Sequence, residues 1–124
     1  MVKGKFATSI TCMDGRIQLP IINWIKENYA VDYVDTITEP GADKQISENL
    51  GLEHVKTKVD ISINAHKSEL ILVSGHYDCA GNPVSNEEHM SQIKNGVDVI
   101  KSWNYGVQVI GLWIDEAWTV AKVS

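Results

Sequence analysis

Residues 70–79 read Leu-Ile-Leu-Val-Ser-Gly-His-Tyr-Asp-Cys, and this stretch decides the fold. Its first four residues are all apolar, and the pair Ser74-Gly75 ends the run. A short apolar run bounded in this way is typical of a strand covered on both faces, as the strands of parallel sheets are. The stretch therefore predicts a buried strand over residues 70–73 that leads into a polar loop.

Further strands and helices are predicted on either side of this strand. Apolar runs rich in β-branched residues predict four other strands, at residues 6–13, 31–38, 107–113 and 118–123. Helical spacing of apolar residues predicts helices at residues 20–29, 43–67 with a break near Gly51, and 85–103. Ser85 is expected to cap the last helix, and Glu88 to complete a capping box three residues later.

The order of these elements predicts the architecture. Strands that alternate with helices form right-handed crossovers, which build a parallel sheet with helices on both faces. The connection at residues 115–117 is too short for a crossover, so the last strand is expected to be antiparallel to its predecessor. We therefore expect a three-layer α/β fold. Its mainly parallel sheet has about four strands in the order 2-1-3-4, followed by the antiparallel C-terminal strand.

The composition is that of an ordinary globular protein with one domain. The chain has 124 residues, of which 44% are hydrophobic and 22% are charged, and its formal net charge is -5. The acidic balance excludes nucleic acids and anionic membranes as partners, since both require basic patches. No stretch approaches the roughly 18 apolar residues of a membrane span. The N-terminal residues enter the first strand without a charged and apolar leader, so we expect a cytoplasmic protein.

Both cysteines and the single arginine lie in two short segments, residues 11–16 and 75–79. In a reducing cytosol, such cysteines favour a metal or catalytic role over a disulfide. Cys12 follows the first predicted strand, and His76 and Cys79 follow the third. Because those strands are neighbours in a 2-1-3-4 sheet, their carboxyl ends bring the three side chains together where such folds bind ligands. Zinc prefers thiolate and imidazole ligands, and three protein ligands are typical of a catalytic zinc site.

Asp14 and Arg16 follow Cys12 at alternate positions, so the three side chains of an extended segment project to the same side. A guanidinium can hold a carboxylate by two parallel hydrogen bonds, which a lysine cannot do. We expect Arg16 to hold Asp14 in this way and to keep it ionised. The fourth zinc position is then open to water, although Asp14 itself is the other candidate for that position.

Cys12-x-Asp14-x-Arg16 followed by His76-x-x-Cys79 resembles the signature of β-class carbonic anhydrases. The likeness also includes Pro20 in the next helix, the Gly41 turn, Gly75 before the histidine, and Gly111-x-Trp113 near the end. It implies a single β-carbonic-anhydrase-like domain over residues 1–124. It also implies that the two cysteines and the histidine bind Zn2+, and that Asp14 and Arg16 are the catalytic pair. The implied reaction is reversible hydration of carbon dioxide to bicarbonate by zinc-bound hydroxide, in a homodimer or higher homo-oligomer.

Two other functions are open at this point. The same centre could hydrolyse a related linear molecule such as carbonyl sulfide or carbon disulfide. Alternatively, Asp14 could close the metal site and leave a non-catalytic zinc-binding protein. The chain also departs from the family pattern, because Gly15 stands where a serine is usual and Ala80 where a glycine is usual.

Most of the remaining polar and aromatic side chains are interpreted without a role in the site. Three histidines fall in predicted helices and are expected at the surface: His54, His66 and His89. Asp78 is ambiguous, because it lies between two predicted ligands and either belongs to the site or only caps or hydrogen bonds its loop. The tryptophans are expected in the core or at an interface: Trp24, Trp103, Trp113 and Trp118.

Overall fold

The computed structural model of the chain describes residues 2–124. Its elements in chain order are β1 Phe6–Thr11, α1 Gln18–Tyr29, β2 Tyr33–Thr38, α2 Ala42–Ser47, α3 Glu53–Ala65, β3 Leu70–His76, α4 Asn86–Lys101, β4 Gln108–Ile114 and β5 Val120–Lys122. The break predicted near Gly51 separates α2 from α3. The other predicted elements are present, with ends that differ from the expected ones by a few residues.

The five strands form one sheet in the order β2-β1-β3-β4-β5. The pairs β1–β2, β1–β3 and β3–β4 are parallel, and β4–β5 is antiparallel. The predicted fold class and strand order are therefore confirmed. Because β1 and β3 are adjacent and parallel, the loops that follow them leave the same edge of the sheet side by side.

β3 is longer than predicted, and the extra residues carry part of the candidate site. Beyond Val73 the strand continues through Ser74 and Gly75 to His76, which pairs with Ile114 of β4. Every residue of β3 is buried. His76 is therefore held by the end of a central strand, where the backbone ladder fixes its position.

Apolar side chains fill both sides of the sheet. On one side, Ile21 and Ile25 of α1 belong to a buried cluster with Leu72 and Ile110. On the other side, buried residues of α2, α3 and α4 pack around alternate strand positions such as Ile71. Burying a side chain of this size contributes about 1.5–3 kcal/mol, so the two cores fix the helices against the sheet. None of the helices formed by residues 2–124 is long and apolar enough to cross a bilayer.

α4 starts at the residue that the sequence predicts. Ser85 caps the helix, since its side chain accepts a hydrogen bond from the backbone N–H of Glu88 at 3.1 Å. A cap of this kind contributes about 1 kcal/mol. The cap therefore fixes where the loop that follows β3 ends.

A tight turn joins β4 to β5. One carboxylate oxygen of Asp115 accepts hydrogen bonds from the backbone N–H groups of Ala117 at 2.9 Å and Thr119 at 3.0 Å. Between them, Trp118 has a φ of 60°, in the left-handed region that bulky side chains rarely adopt. This backbone conformation directs the Trp118 ring towards Arg16 in the loop after β1.

Candidate metal centre

Two thiols and one imidazole meet at the carboxyl ends of β1 and β3. Cys12 follows β1 directly, His76 is the last residue of β3, and Cys79 lies on the loop after it. Their candidate ligand atoms all lie within 4.8 Å of one another, and the two sulfurs are 3.9 Å apart. All three residues are buried. The structure thus brings together the three residues that the sequence predicts as metal ligands.

This arrangement fits a zinc ion. His76 Nδ1 donates a hydrogen bond to the Tyr77 carbonyl at 2.7 Å, which orients the ring and leaves Nε2 for another partner. That Nε2 is buried and has no hydrogen-bond partner among residues 2–124. Two sulfurs bound to one tetrahedral zinc ion at about 2.3 Å lie about 3.8 Å from each other. The spacing of the two sulfurs here, with an orphaned imidazole nitrogen beside them, matches that requirement.

The pKa values of the two cysteines are shifted in opposite directions. The hydrogen bond from the Cys79 thiol lowers the pKa of Cys12 to about 4, against the opposing effect of burial. The same contact, together with burial, raises the pKa of Cys79. Burial alone would lower the pKa of His76, but the neighbouring Cys12 sulfur and the Tyr77 carbonyl raise it overall. Cys12 is therefore the sulfur that loses its proton first, and the thiolate is the form of cysteine that binds metals.

Asp14 and Arg16 form the expected ion pair next to these ligands. Arg16 donates two hydrogen bonds in parallel, from Nη2 to Asp14 Oδ2 at 2.7 Å and from Nε to Oδ1 at 3.1 Å. The backbone N–H of Arg16 also donates to Oδ1 at 2.9 Å. These contacts with Arg16 lower the pKa of Asp14 to about 2, so its carboxylate is ionised at neutral pH. The Asp14 carboxylate was the alternative fourth ligand. Arg16 holds it outside the group of three converging ligand atoms.

Asp78 and Trp118 complete the surroundings of Arg16. Arg16 Nη1 donates to Asp78 Oδ2 and Nη2 to the Asp78 carbonyl, both at 3.1 Å. The Trp118 ring covers the guanidinium, with its centroid 4.6 Å from Cζ. We call Asp14, Arg16, Asp78 and Trp118 the Arg16 cluster. The predictions for Asp78 and Trp118 missed these contacts, because the three segments involved meet only in the folded sheet.

Gln18 stabilises the loop between β1 and α1. Its Nε2 donates hydrogen bonds to the carbonyl oxygens of Cys12 and Asp14, both at 2.9 Å. Since Gln18 is the first residue of α1, the start of the helix is joined directly to the backbone of the loop. No pattern in the sequence singles out this residue.

A cavity of about 260 Å³ opens beside Cys12 and Asp14. Its wall is mostly apolar and is completed by Met13, Pro40, Ala80 and Gly81. Such a chamber suits a small uncharged molecule. A larger open cavity of about 730 Å³ lies between the start of α3 and Trp103, and none of the three converging ligands lines it.

A second polar cluster lies in the interior, behind the loop that carries Cys79. His89 Nδ1 donates to Asp43 Oδ2 at 2.6 Å, and Asn82 Nδ2 donates to Asp43 Oδ1 at 3.0 Å. Asn82 Nδ2 also donates to Gln92 Oε1 at 2.6 Å. We call Asp43, Asn82, His89 and Gln92 the Asp43 cluster. The backbone N–H of Asn82 donates to the Cys79 carbonyl at 3.2 Å, which joins this cluster to a candidate metal ligand.

The interpretation of His89 as a surface residue is wrong. His89 is 2% exposed, and its ring centroid lies 5.2 Å from that of Trp113. The helical spacing contained a signal for this, because His89 lies on the same face of α4 as the buried Ile93 and Val97. His54, by contrast, is exposed as expected.

Solved structures of β-carbonic anhydrases share the fold of this chain. A β-carbonic anhydrase isoform I from the protozoan Trichomonas vaginalis superposes with a TM-score of 0.67 at 18% identity, over 94% of this chain and 81% of that chain. A carbonic anhydrase from Streptococcus mutans gives a TM-score of 0.68 at 16% identity, over 94% and 81% of the two chains. One of two tetrameric β-carbonic anhydrases from the ascomycete Sordaria macrospora gives 0.55 at 14% identity, over 94% and 79%. Comparison with curated proteins found no match.

The family itself is shown by the sequence. A family model described as "Putative carbonic anhydrase" matches residues 2–124, which is almost the whole chain. The chain therefore belongs to this carbonic anhydrase family, and its fold is that of the β-carbonic anhydrases. This assignment agrees with the resemblance seen in the two sequence motifs.

Proposed function

We propose that this protein is a zinc-dependent carbonic anhydrase that interconverts carbon dioxide and bicarbonate. Cys12 Sγ, His76 Nε2 and Cys79 Sγ would hold the zinc ion. One observation supports this proposal most strongly: three soft ligand atoms converge within 4.8 Å, while Asp14 is held beside them by Arg16. Three protein ligands with one remaining position are the pattern of catalytic zinc sites, whereas structural sites use four.

The residues of this chain would divide the chemistry between them. A zinc ion in such a site supplies a water molecule with a pKa lowered towards about 7 and a positive charge beside the developing anion. Asp14 is ionised at neutral pH, so its carboxylate can only accept a hydrogen bond and would orient the O–H of the attacking nucleophile. The apolar cavity wall beside Asp14 would admit uncharged carbon dioxide.

The non-catalytic alternative is less well supported. Asp14 could close the metal site only by giving up its two parallel hydrogen bonds to Arg16. Hydrolysis of carbonyl sulfide or carbon disulfide would use the same residues, and no contact in the cavity favours those substrates over carbon dioxide.

Stopped-flow hydration of carbon dioxide by the zinc-loaded protein tests the proposed reaction. Asp14→Asn should lower kcat/KM about tenfold or more, because an amide no longer offers two equivalent acceptors to the nucleophile. Asp98→Asn is a suitable control, since Asp98 is exposed on α4 away from the ligands. Wild-type rates in Asp14→Asn would contradict the role of Asp14. Activity with carbonyl sulfide but not with carbon dioxide would show that carbonyl sulfide, and not carbon dioxide, is the substrate.

Zinc content tests the ligand set independently of the reaction. Cys79→Ser should remove most of the bound zinc, because a serine hydroxyl is a far weaker zinc ligand than a thiolate. His54→Ala serves as the control, since His54 lies on α3 and its partner is Glu39. Equal zinc content in wild type and Cys79→Ser would contradict the proposed site.

We further propose that the protein is a homodimer or a higher homo-oligomer. Three large apolar side chains that follow site residues directly in the sequence are exposed, namely Leu19 at 70%, Met13 at 63% and Tyr77 at 40%. Exposed apolar surface favours protein contacts. Leu19→Glu should shift the mass measured by light scattering towards the monomer, whereas Ile61→Glu on α3 should not. A monomeric wild type would contradict the proposal.

A further inference from the structure

Arg16 is too exposed for its ion pair alone to fix its position. Its side chain is 46% exposed, on the loop between β1 and α1. Ion pairs at such sites are weak, because water competes for the charges and a long side chain must give up its freedom. Orientation of a nucleophile, however, tolerates little movement of the carboxylate that receives it. Another contact must therefore restrict the guanidinium that holds Asp14.

Trp118 supplies a rigid surface for Arg16. The ring centroid lies 4.6 Å from Arg16 Cζ, inside the roughly 6 Å over which a cation is attracted to an aromatic face. The same ring is partly buried and packs against the apolar cluster on the α1 side of the sheet. Core packing thus gives the ring a fixed position, and Arg16 lies against it.

The backbone of the β4–β5 turn holds Trp118 in this place. A φ of 60° is unfavourable for a tryptophan, and such conformations persist only where the surroundings enforce them. Here Asp115 enforces the turn, since its carboxylate accepts from the residues on either side of Trp118 and its carbonyl accepts from the Trp118 N–H at 2.9 Å. The ring is therefore held on Arg16 at a conformational cost.

Asp78 restrains the opposite end of the guanidinium. Its carboxylate accepts from Arg16 Nη1 and its carbonyl from Nη2, while Nε and Nη2 donate to Asp14. Asp78 and Trp118 therefore restrict Arg16 along its edge and across its face. The hydrogen bonds to the two aspartates lie along the edge of the guanidinium, whereas Trp118 contacts its face.

We propose that Trp118 is a positioning residue whose ring fixes the plane of the Arg16 guanidinium, so that two of its donors face Asp14. The kinetic part of this inference rests on the proposed function, because Trp118 acts through the Asp14–Arg16 pair. The geometric part does not depend on that function. Loss of the ring leaves the three ligand side chains in place but lets Arg16 leave the parallel arrangement.

Nuclear magnetic resonance tests the geometric part directly. Arg16 is the only arginine in the chain, so its Nε–H gives one unambiguous side-chain signal in isotope-labelled protein. This proton should exchange slowly with water in the wild type, about fivefold faster in Trp118→Leu, and within about twofold of wild type in Trp118→Phe, which keeps an aromatic face. Trp118→Met replaces the leucine variant if that variant does not fold.

Trp24→Leu is the matched control for this measurement. Trp24 is another partly buried tryptophan that packs against the same apolar cluster, so its loss reproduces the packing defect without touching Arg16. Exchange in this variant should match the wild type. Equal exchange rates in wild type and Trp118→Leu would overturn the proposal, and so would a wild-type Nε–H that exchanges freely.

A double-mutant cycle on turnover tests the kinetic part. Trp118→Leu should lower kcat about fivefold with unchanged zinc content, and Trp118→Phe should restore most of it. In an Arg16→Lys background the leucine substitution should have no further effect, because lysine has no plane for the ring to orient. An equal loss in both backgrounds would indicate a structural tryptophan and overturn the proposal. A wild type that does not hydrate carbon dioxide contradicts the proposed function instead, and the exchange rates then decide the role of Trp118.

Discussion

The Arg16 cluster and the Asp43 cluster both contact the loop that carries Cys79, but they differ in their access to water. In the Arg16 cluster, the side chains of Arg16 and Asp78 are 46% and 67% exposed. In the Asp43 cluster, the side chains of Asp43 and His89 are each 2% exposed. The exposed charges interact in a medium of high dielectric constant, whereas the buried groups have lost their water completely.

This difference gives the two clusters different tasks. Charge contacts at a surface contribute little to the free energy of unfolding, so the Arg16 cluster should affect turnover more than stability. A buried polar group that loses its partner keeps its full desolvation cost, so the Asp43 cluster should affect stability first. Single substitutions in the two clusters should therefore separate stability from turnover.

The largest effect is expected from Asp43→Ala. The change leaves the His89 Nδ1–H and one N–H of the Asn82 amide without their acceptor in the interior. We expect the free energy of unfolding to fall by about 2–6 kcal/mol, because each of the two buried donors left without a partner costs about 1–3 kcal/mol. Urea denaturation measures this change.

Asp78→Asn is the control, because it removes a carboxylate that is 67% exposed and asparagine tolerates the left-handed φ of 56° at this position. Its free energy of unfolding should change by less than about 1 kcal/mol. Unfolding of both aspartate variants at the same urea concentration would remove the distinction between the clusters.

Gly75→Ala should have the next largest effect, because it displaces Asp43 without altering it. A Cβ at this position would collide with the Asp43 carboxylate and approach Ile93 to 3.1 Å. Overpacking of this kind costs about 1–3 kcal/mol. Gly15→Ala is the control, since nothing lies within 4 Å of the added carbon. Urea unfolding should separate the two variants, and equal stabilities would show that the Asp43 cluster tolerates displacement.

Arg16→Lys tests the Arg16 cluster, where we expect a loss of turnover without a loss of stability. Lysine cannot reproduce the parallel pair of hydrogen bonds to Asp14, so we expect kcat to fall about tenfold. Zinc content and the urea midpoint should stay close to those of the wild type. Lys26→Arg, an exposed exchange on α1, provides the control. Full turnover in Arg16→Lys would show that the parallel pairing is not required.

The smallest effect concerns the acid stability of the Asp14–Arg16 pair. Arg16 lowers the pKa of Asp14 in the folded protein from 3.8 to about 2, so the folded state binds this proton less tightly than the unfolded chain does. The resulting stability is present above about pH 4 and is lost as the pH falls towards 2. Wild type should exceed Asp14→Asn by less than about 1 kcal/mol at pH 7, because the pair is solvent-accessible. A stability difference that stays constant down to pH 2 would show that this carboxylate does not titrate as described.

The sheet and its order were predictable because apolar runs mark buried strands and alternating helices imply parallel pairing. The end of β3 was not predictable, since the apolar pattern stops at Val73 while the strand continues to His76. A buried strand can include polar side chains if they form hydrogen bonds. Ser74 does so by donating to the Thr11 hydroxyl at 2.8 Å inside the sheet.

The candidate site was predictable only where its parts are local or follow from strand order. The spacing of Cys12, Asp14 and Arg16 is local, and neighbouring strands bring His76 close to them. The Asp43 cluster has no such pattern, because its polar members are scattered over three segments, and only His89 carried a signal of burial, in its helical spacing from Ile93. The contact of Trp118 with Arg16 depends on a left-handed backbone conformation at Trp118. A glycine or asparagine usually indicates such a conformation, and a tryptophan does not.

X-ray absorption at the zinc edge of the zinc-loaded wild-type protein tests the central claim most directly. The account predicts two sulfur ligands at about 2.3 Å, together with one imidazole nitrogen and one oxygen at about 2.0 Å. A zinc ion with fewer than two sulfur ligands would contradict the assignment of Cys12, His76 and Cys79 as the metal site.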